Sequence, residues 1–240
     1  MSKSTSSYII NGDTSISVSS ELVKGVQAFL YFINDGMDID KIFDVDAALA
    51  KHEVTAAEIA YVKSNPEIAQ LFEEQYLQPT PNLEELLKLP EDSLGFAYAS
   101  NLISANFTPH FYPQVELKDD VSYLALRMRQ THDIWHTVTG YGFDIAGGLK
   151  LAAFQIGQNR DPVSVMSIAG LLMNTIKMNK DLSPIISLAY EGYNVGCKAK
   201  PFLAQKWEEA WEKPLADWRA ELNVTSAIAR TIEERALAAI

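Results

Sequence analysis

Two histidines and an aspartate fall within little more than one helical turn. They are His132, Asp133 and His136, in the stretch RMRQTHDIWHTVTGYGFDIAGGLK at residues 127–150. Residues four apart on a helix share a face, so the two imidazoles point the same way and Asp133 lies beside His136. These residue types bind metals or move protons. The four-residue spacing is the one that zinc-binding helices use, with both rings reaching one cation from successive turns. Asp133 is then a third ligand, an acid–base group, or an acceptor that fixes an imidazole tautomer. The plainer alternative is a pair of helix histidines bonded to backbone. The metalloprotease pattern HExxH is excluded, because Asp133 stands where that pattern needs Glu. Arg127 and Arg129 precede His132. Arg129, three residues away, could steer an anionic headgroup, the alternative being a solvated surface charge.

The elements that must carry these residues read as helices. Gly140 breaks the helix that holds the histidines, and Asp144 is placed to cap the next, IAGGLKLAAFQIGQ. Asp161-Pro162 starts another, VSVMSIAGLLMNTIKMN, which is apolar nearly all round. Such a helix is buried on every side or lines an apolar cavity. Upstream, helices are expected after Ser20, across residues 38–50, from a capping box at Thr55 and Glu58, and after Asn65 and Asn82. Downstream they are expected from Ser183 to about Lys198 and at residues 225–240. Trp207, Trp211 and Trp218 would share a face as a core or dimer seam if Pro214 left their helix unbroken. No run of alternating β-branched residues stands between hairpin turns. The fold class is therefore all-α: a single multi-helix domain at residues 21–240, with an apolar channel or cavity between helices. Residues 1–20 form a flexible arm with a turn at Asn11-Gly12-Asp13.

Composition narrows the function. With 31 acidic against 20 basic side chains, the net charge is -11, which excludes a general nucleic-acid binder. Lys198, Lys200 and Lys206 make a modest basic patch, read as a solvated face. Cys197 is the only cysteine, so no intrachain disulfide forms, and a lone Cys is read as a small buried apolar residue. The N-terminal residues carry no signal or transit pattern. The longest uncharged run, residues 162–176, is short of the ~20 residues of a membrane span. A cytoplasmic protein, or one peripheral on an inner membrane face, is expected.

Three ordered segments resemble the Coq4 family of ubiquinone-biosynthesis proteins. The first is the family signature HDxxH, eleven residues, then Glu, matched by His132, Asp133 and His136. The Glu position is Gly148 here, a departure from the pattern. The second, LPEDSLGFAYASNL at residues 89–102, is similar to the family's Leu-Pro-x-x-Thr-Leu-Gly-x-Ala-Tyr segment. The third, residues 192–224, is similar to its C-terminal Trp-Glu and Leu-x-x-x-Arg-x-x-Leu pattern.

The resemblance implies an all-helical protein that binds a prenylated quinone precursor, with the ring near the His-Asp-His face and the tail in an apolar channel. Phe154, Met166, Leu171 and Met173 are the expected channel lining, with the methionines adaptable. Arg127 and Arg129 are the expected headgroup contacts. The family is described both as an organiser of a quinone-synthesis complex and as an enzyme of oxidative decarboxylation at C1 of the ring, with Asp133 then catalytic. Other quinone-biosynthesis proteins and a homo-oligomer are the implied protein partners. The implied cofactor is a divalent metal, zinc for example, on His132, Asp133 and His136. With Gly148 in place of Glu, the site loses an anionic ligand and its affinity is expected to be reduced or absent. Asp144 is a substitute ligand only if its carboxylate is not held as an N-cap.

Overall fold

The structure is a computed structural model that describes residues 5–10, 14–34, 39–107 and 115–224. Eleven α-helices and one 3-10 turn make up most of them, so the architecture is all-α. The exception is a hairpin in which β1 (Thr5–Ile10) pairs antiparallel with β2 (Thr14–Ser19), with Ile10 opposite Thr14. It corrects the expectation of no strands. Both segments are rich in Thr, Ser, Ile and Val, and they flank an Asn-Gly pair, the strongest short-range hairpin signal. The turn residues 11–13 lie outside the described residues, as do Gly36, His110 and the helix expected at residues 225–240.

Helices α1 (Ser20–Asn34) and α2 (Ile39–Leu49) are followed by α3 (Glu53–Val62). His52 caps α3 through Nδ1, and Thr55 lies inside it, donating its hydroxyl to the Leu49 carbonyl at 2.9 Å. The Thr55–Glu58 capping box is therefore not formed. Local caps set the next starts: Asn65 for α4 (Pro66–Glu74), Asn82 for α5 (Leu83–Leu86) and Ser93 for α6 (Leu94–Ser104). Each side-chain oxygen accepts from N–H groups that the first turn leaves unpaired.

The histidines ride on α7 (Asp120–Thr139), opened by an Asp119–Ser122 capping box and closed by Gly140 at φ 73°. Asp144 caps α8 (Ile145–Asn159), and Asp161 caps α9 (Pro162–Lys177). Helix α10 (Ser183–Lys198) crosses α8 at backbone distance, because an added Cβ at Gly192 or Gly196 would overlap the Lys150 or Phe154 carbonyl oxygen. Small residues are required there for the two helices to touch. Helix α11 (Leu215–Glu221) ends the described chain, and Arg219 on it donates to the Val138 and Thr137 carbonyls at 3.0 and 3.1 Å. That cap fixes the C-terminal end of α7.

The core is an aromatic chain. Trp135 meets Phe154 and Phe202 edge-on at 6.1 and 5.5 Å, Phe202 meets Trp207 at 5.4 Å, and Trp207 meets Trp218 at 4.7 Å. The tryptophans do not share one helix. Trp207 sits in the 3-10 turn, Trp218 in α11, and Trp211 packs on Tyr98 at 5.2 Å. Of the two alternatives for α9, burial on every side is not found, and the helix lines a cavity. Val165, Met173 and Ile176 are exposed on it, so it is buried on one side only. Cys197 is exposed, correcting its reading as a buried residue. No helix among the described residues is long and apolar enough to cross a membrane.

Candidate functional site

A cavity of about 1040 Å³ runs along α7, walled by α2, α3, α8 and α9. Ser122, Ala125, Arg129, His132 and His136 line it from α7. Their three- and four-residue spacing makes one continuous stripe, ~21 Å long at 1.5 Å per residue. Asp133, Asp144 and Gly148 line it as well, so the structure brings the signature residues to one cavity.

The two imidazoles are 4.9 Å apart, edge to face. His136 stacks on Phe143 at 4.6 Å, and its Nδ1 lies 3.1 Å from the Tyr141 carbonyl. A carbonyl can only accept, so Nδ1 carries the proton and Nε2 keeps its lone pair. His132 has the opposite arrangement. The Gln155 amide, Nε2 toward the ring, donates to His132 Nδ1 at 3.3 Å and leaves the proton on Nε2. Gln155 Oε1 is 3.0 Å from Ser164 Oγ, which is 2.5 Å from Asp161 Oδ2. Ser164 has one hydroxyl proton between two acceptors. Asp161 Oδ2 is one of them, and burial pushes that carboxyl up. Burial holds His132 down to about 4. Burial, then the neighbouring His132, holds His136 down to about 3. At neutral pH the pair is uncharged, presenting one N–H and one lone pair a turn apart.

The donor set does not fit the implied metal. Among the described residues, no group of three or more His, Cys, Asp or Glu side chains is arranged to hold an ion. The family's Glu position is Gly148, where an added Cβ would meet nothing within 4 Å. Asp144 is exposed and its Oδ1 accepts from Gly147 N at 2.7 Å, as its cap role requires. It does not replace the missing ligand.

Arg127 is corrected. It is 0% exposed, sits 5.1 Å over the Tyr76 ring and donates to both Glu208 oxygens at 2.5 and 3.2 Å and to the Gln205 carbonyl at 2.7 Å. It ties α7 to the C-terminal segment and does not reach the cavity. Arg129 does line the cavity, paired with Asp46 at 2.8 Å and lying over Phe43. Of the four expected channel residues, Leu171 is on the cavity wall. Phe154 is 0% exposed inside the aromatic core, Met166 packs against the small core of α1 and α2, and Met173 is 51% exposed on the outer face of α9. Helix periodicity cannot tell which face of an all-apolar helix meets a cavity.

Sequence reasoning missed Gln155, Ser164 and Glu58 as cavity residues. Ser164 is three residues from Asp161, the spacing of a cap, which was the available signal. Glu58 shares a helix face with Val62 and Thr55, a weak hint that it points inward.

A sequence model of the family described as Coenzyme Q (ubiquinone) biosynthesis protein Coq4 matches residues 60–227. The chain is 28% identical over 152 residues to an Aedes aegypti mitochondrial COQ4 homolog named for ubiquinone biosynthesis, covering 60% of this chain and 53% of that one. It is 30% identical over 148 residues to the Penicillium rubens mitochondrial protein coq4, with 60% and 51% covered. The chain thus spans about half the length of the curated relatives it matches. A Nostoc punctiforme crystal structure, of a protein assigned by its description to ubiquinone biosynthesis, superimposes with a TM-score of 0.76 at 32% identity, covering 85% of this chain and 98% of that one.

Proposed function

The chain belongs to the Coq4 family of ubiquinone-biosynthesis proteins, and from that premise we propose that it binds a prenylated quinone precursor and organises or assists modification of its ring. The observation that carries this reading is the cavity itself. Its 1040 Å³ sits at the upper end of the range for ligand pockets. Its wall is mostly apolar, with Leu171, Ile168 and Met128 beside the histidine pair. An apolar tail fits the first part and an oxygenated ring the second. His132 Nε2–H donates to a ring oxygen, and His136 Nε2 accepts from a ring hydroxyl, so the pair orients a phenol or hydroquinone without bearing charge. The half-exposed apolar face of α9 and α10, with Ile176, Ile186 and Tyr190, suits a membrane surface, a second copy of the chain or another quinone-biosynthesis protein.

Metal-dependent decarboxylation at C1 is not the favoured reading, because the donors for the cation do not assemble. Nor does any observation favour a bare scaffold over a binder, given a cavity of this size. The test is native mass spectrometry and lipid extraction of the full chain purified without a His-tag, followed by calorimetric titration with 2-farnesyl-1,4-benzoquinone. A co-purified prenyl lipid or saturable quinone binding is expected. Absence of both overturns the proposal and leaves the scaffold.

A further inference from the structure

The cavity has a second polar wall, at α3. Glu58 projects from α3, which packs against α7, α8 and α9. It is 6% exposed, lines the cavity, and makes no hydrogen bond or ion pair among the described residues. Its neighbours are engaged elsewhere. Asp46 is paired with Arg129 at 2.8 Å, and Asp161 holds the N-terminus of α9. A buried carboxyl without a partner is costly, and proteins keep one where a ligand or a reaction uses it.

We propose that Glu58 is a hydrogen-bond donor to an uncharged oxygen of the ring ligand, in the cavity that the histidine pair also lines. The inference rests on the ligand class proposed above. Burial, then the charges of Asp161 and Asp46, push the Glu58 carboxyl up to about 9, so it carries its proton at neutral pH. A neutral acid with no acceptor of its own donates to a carbonyl or ether oxygen. The same surroundings disfavour a carboxylate or phosphate at this wall, because Asp46 and Asp161 repel it and the nearby Arg129 is paired with Asp46. The wall therefore selects rings whose oxygen at that edge is neutral. Residue 58 lies outside the segment matched by the family, residues 60–227.

The test titrates the full chain with two probes, 2-farnesyl-1,4-benzoquinone, whose oxygens only accept, and farnesylbenzene, which has none. Glu58→Leu should weaken quinone binding about fivefold to tenfold, the ratio one net hydrogen bond supplies. Farnesylbenzene binding should stay within about twofold. Glu58→Gln keeps N–H donors and size, and should hold quinone affinity within about threefold. Ligand-free Glu58→Leu should melt above the parent, since it removes a buried unpartnered polar group. Equal losses for both probes, no loss for either, or a lower melting point for the leucine variant would overturn the inference. If the parent binds neither probe, the ligand class itself fails and takes this inference with it. Quinone binding indifferent to residue 58 sinks the inference alone.

Discussion

Gly148→Glu should supply a metal donor that is not assembled among the described residues. Position 148 is in the first turns of α8 on the cavity wall, and an added Cβ there meets nothing within 4 Å. Glycine in a helix costs about 0.5–1 kcal/mol relative to alanine, so any side chain recovers part of that. A carboxylate near the helix N-terminus gains about 0.3–1 kcal/mol more. Against these stand partial desolvation of the new carboxylate and the nearby Asp133, which is 9% exposed. The metal-free variant should therefore lie within about 1 kcal/mol of the parent, a melting shift within about 4 °C for a chain of this size. Zinc at a hundredfold excess over its dissociation constant adds about 2.7 kcal/mol, or about 5–11 °C. The assay is thermal denaturation of untagged protein with zinc and with chelator. Only Gly148→Glu should respond, Gly148→Gln should show the helix gain alone, and Gly148→Glu/His132→Ala should lose the response. An equal zinc shift in the parent would falsify the argument that the donor set is incomplete. No shift in the glutamate variant would show that position 148 does not face the histidines.

Arg127→Leu leaves Glu208 buried without its cation, its side chain 6% exposed, and should destabilise by about 3–5 kcal/mol in urea unfolding. Adding Glu208→Leu should recover part of that loss, whereas an additive double variant would refute the pairing. Stability should fall as pH rises above about 6.5, read as denaturation midpoints from about pH 5 to about pH 9. The unfolded chain protonates its histidines near 6.5 while the fold holds them down to about 4 and about 3, so their contribution to stability falls as pH drops below 6.5. Glu58, raised from 4.5 to about 9, keeps a proton that the unfolded chain releases, so it removes stability as pH rises through that window, and raised Asp161 acts in the same sense. Below 6.5 the two histidines oppose Glu58 and Asp161, and above 6.5 the carboxyls act alone, at most about 1.4 kcal/mol per pH unit per proton. Glu58→Gln should shrink the alkaline limb, and an unchanged limb would refute the assigned proton.

What the sequence disclosed was mostly local. Asn82 and Asp144 cap the helices they were expected to cap, and Asn65 and Asp161 cap helices expected to start there, because a cap is a contact between a side chain and N–H groups two or three residues on. Gly140 ends α7 for an equally local reason, a left-handed φ. The signature residues reached one cavity because four-residue spacing on a helix fixes a shared face. The failures are long-range. Arg127 resembled its neighbour Arg129 in sequence, yet a partner 81 residues away buries one and not the other. Thr55 looked like a cap, but the Leu49 carbonyl takes its hydroxyl. Phe154 and Leu171 were equally apolar candidates, and only the packing of Trp135 and Phe202 removed the first from the channel.

The adjacent glycines of α8 now separate into two kinds. Gly147 is held by packing, since an added Cβ would overlap the backbone of Gly142. On the other side of α8, Gly192 and Gly196 press α10 against the Lys150 and Phe154 carbonyls, so the helix cannot shift away. Gly148 has no such contact and still gives up helix stability. Its effect is to leave space in the cavity that His132, His136 and Glu58 also line. A side-chain-free position on a cavity wall shared with two neutral imidazoles and a partnerless carboxyl adds no charge there, in keeping with the uncharged ring proposed above. The departure from the family pattern thus extends the cavity at the place where that pattern puts a carboxylate ligand.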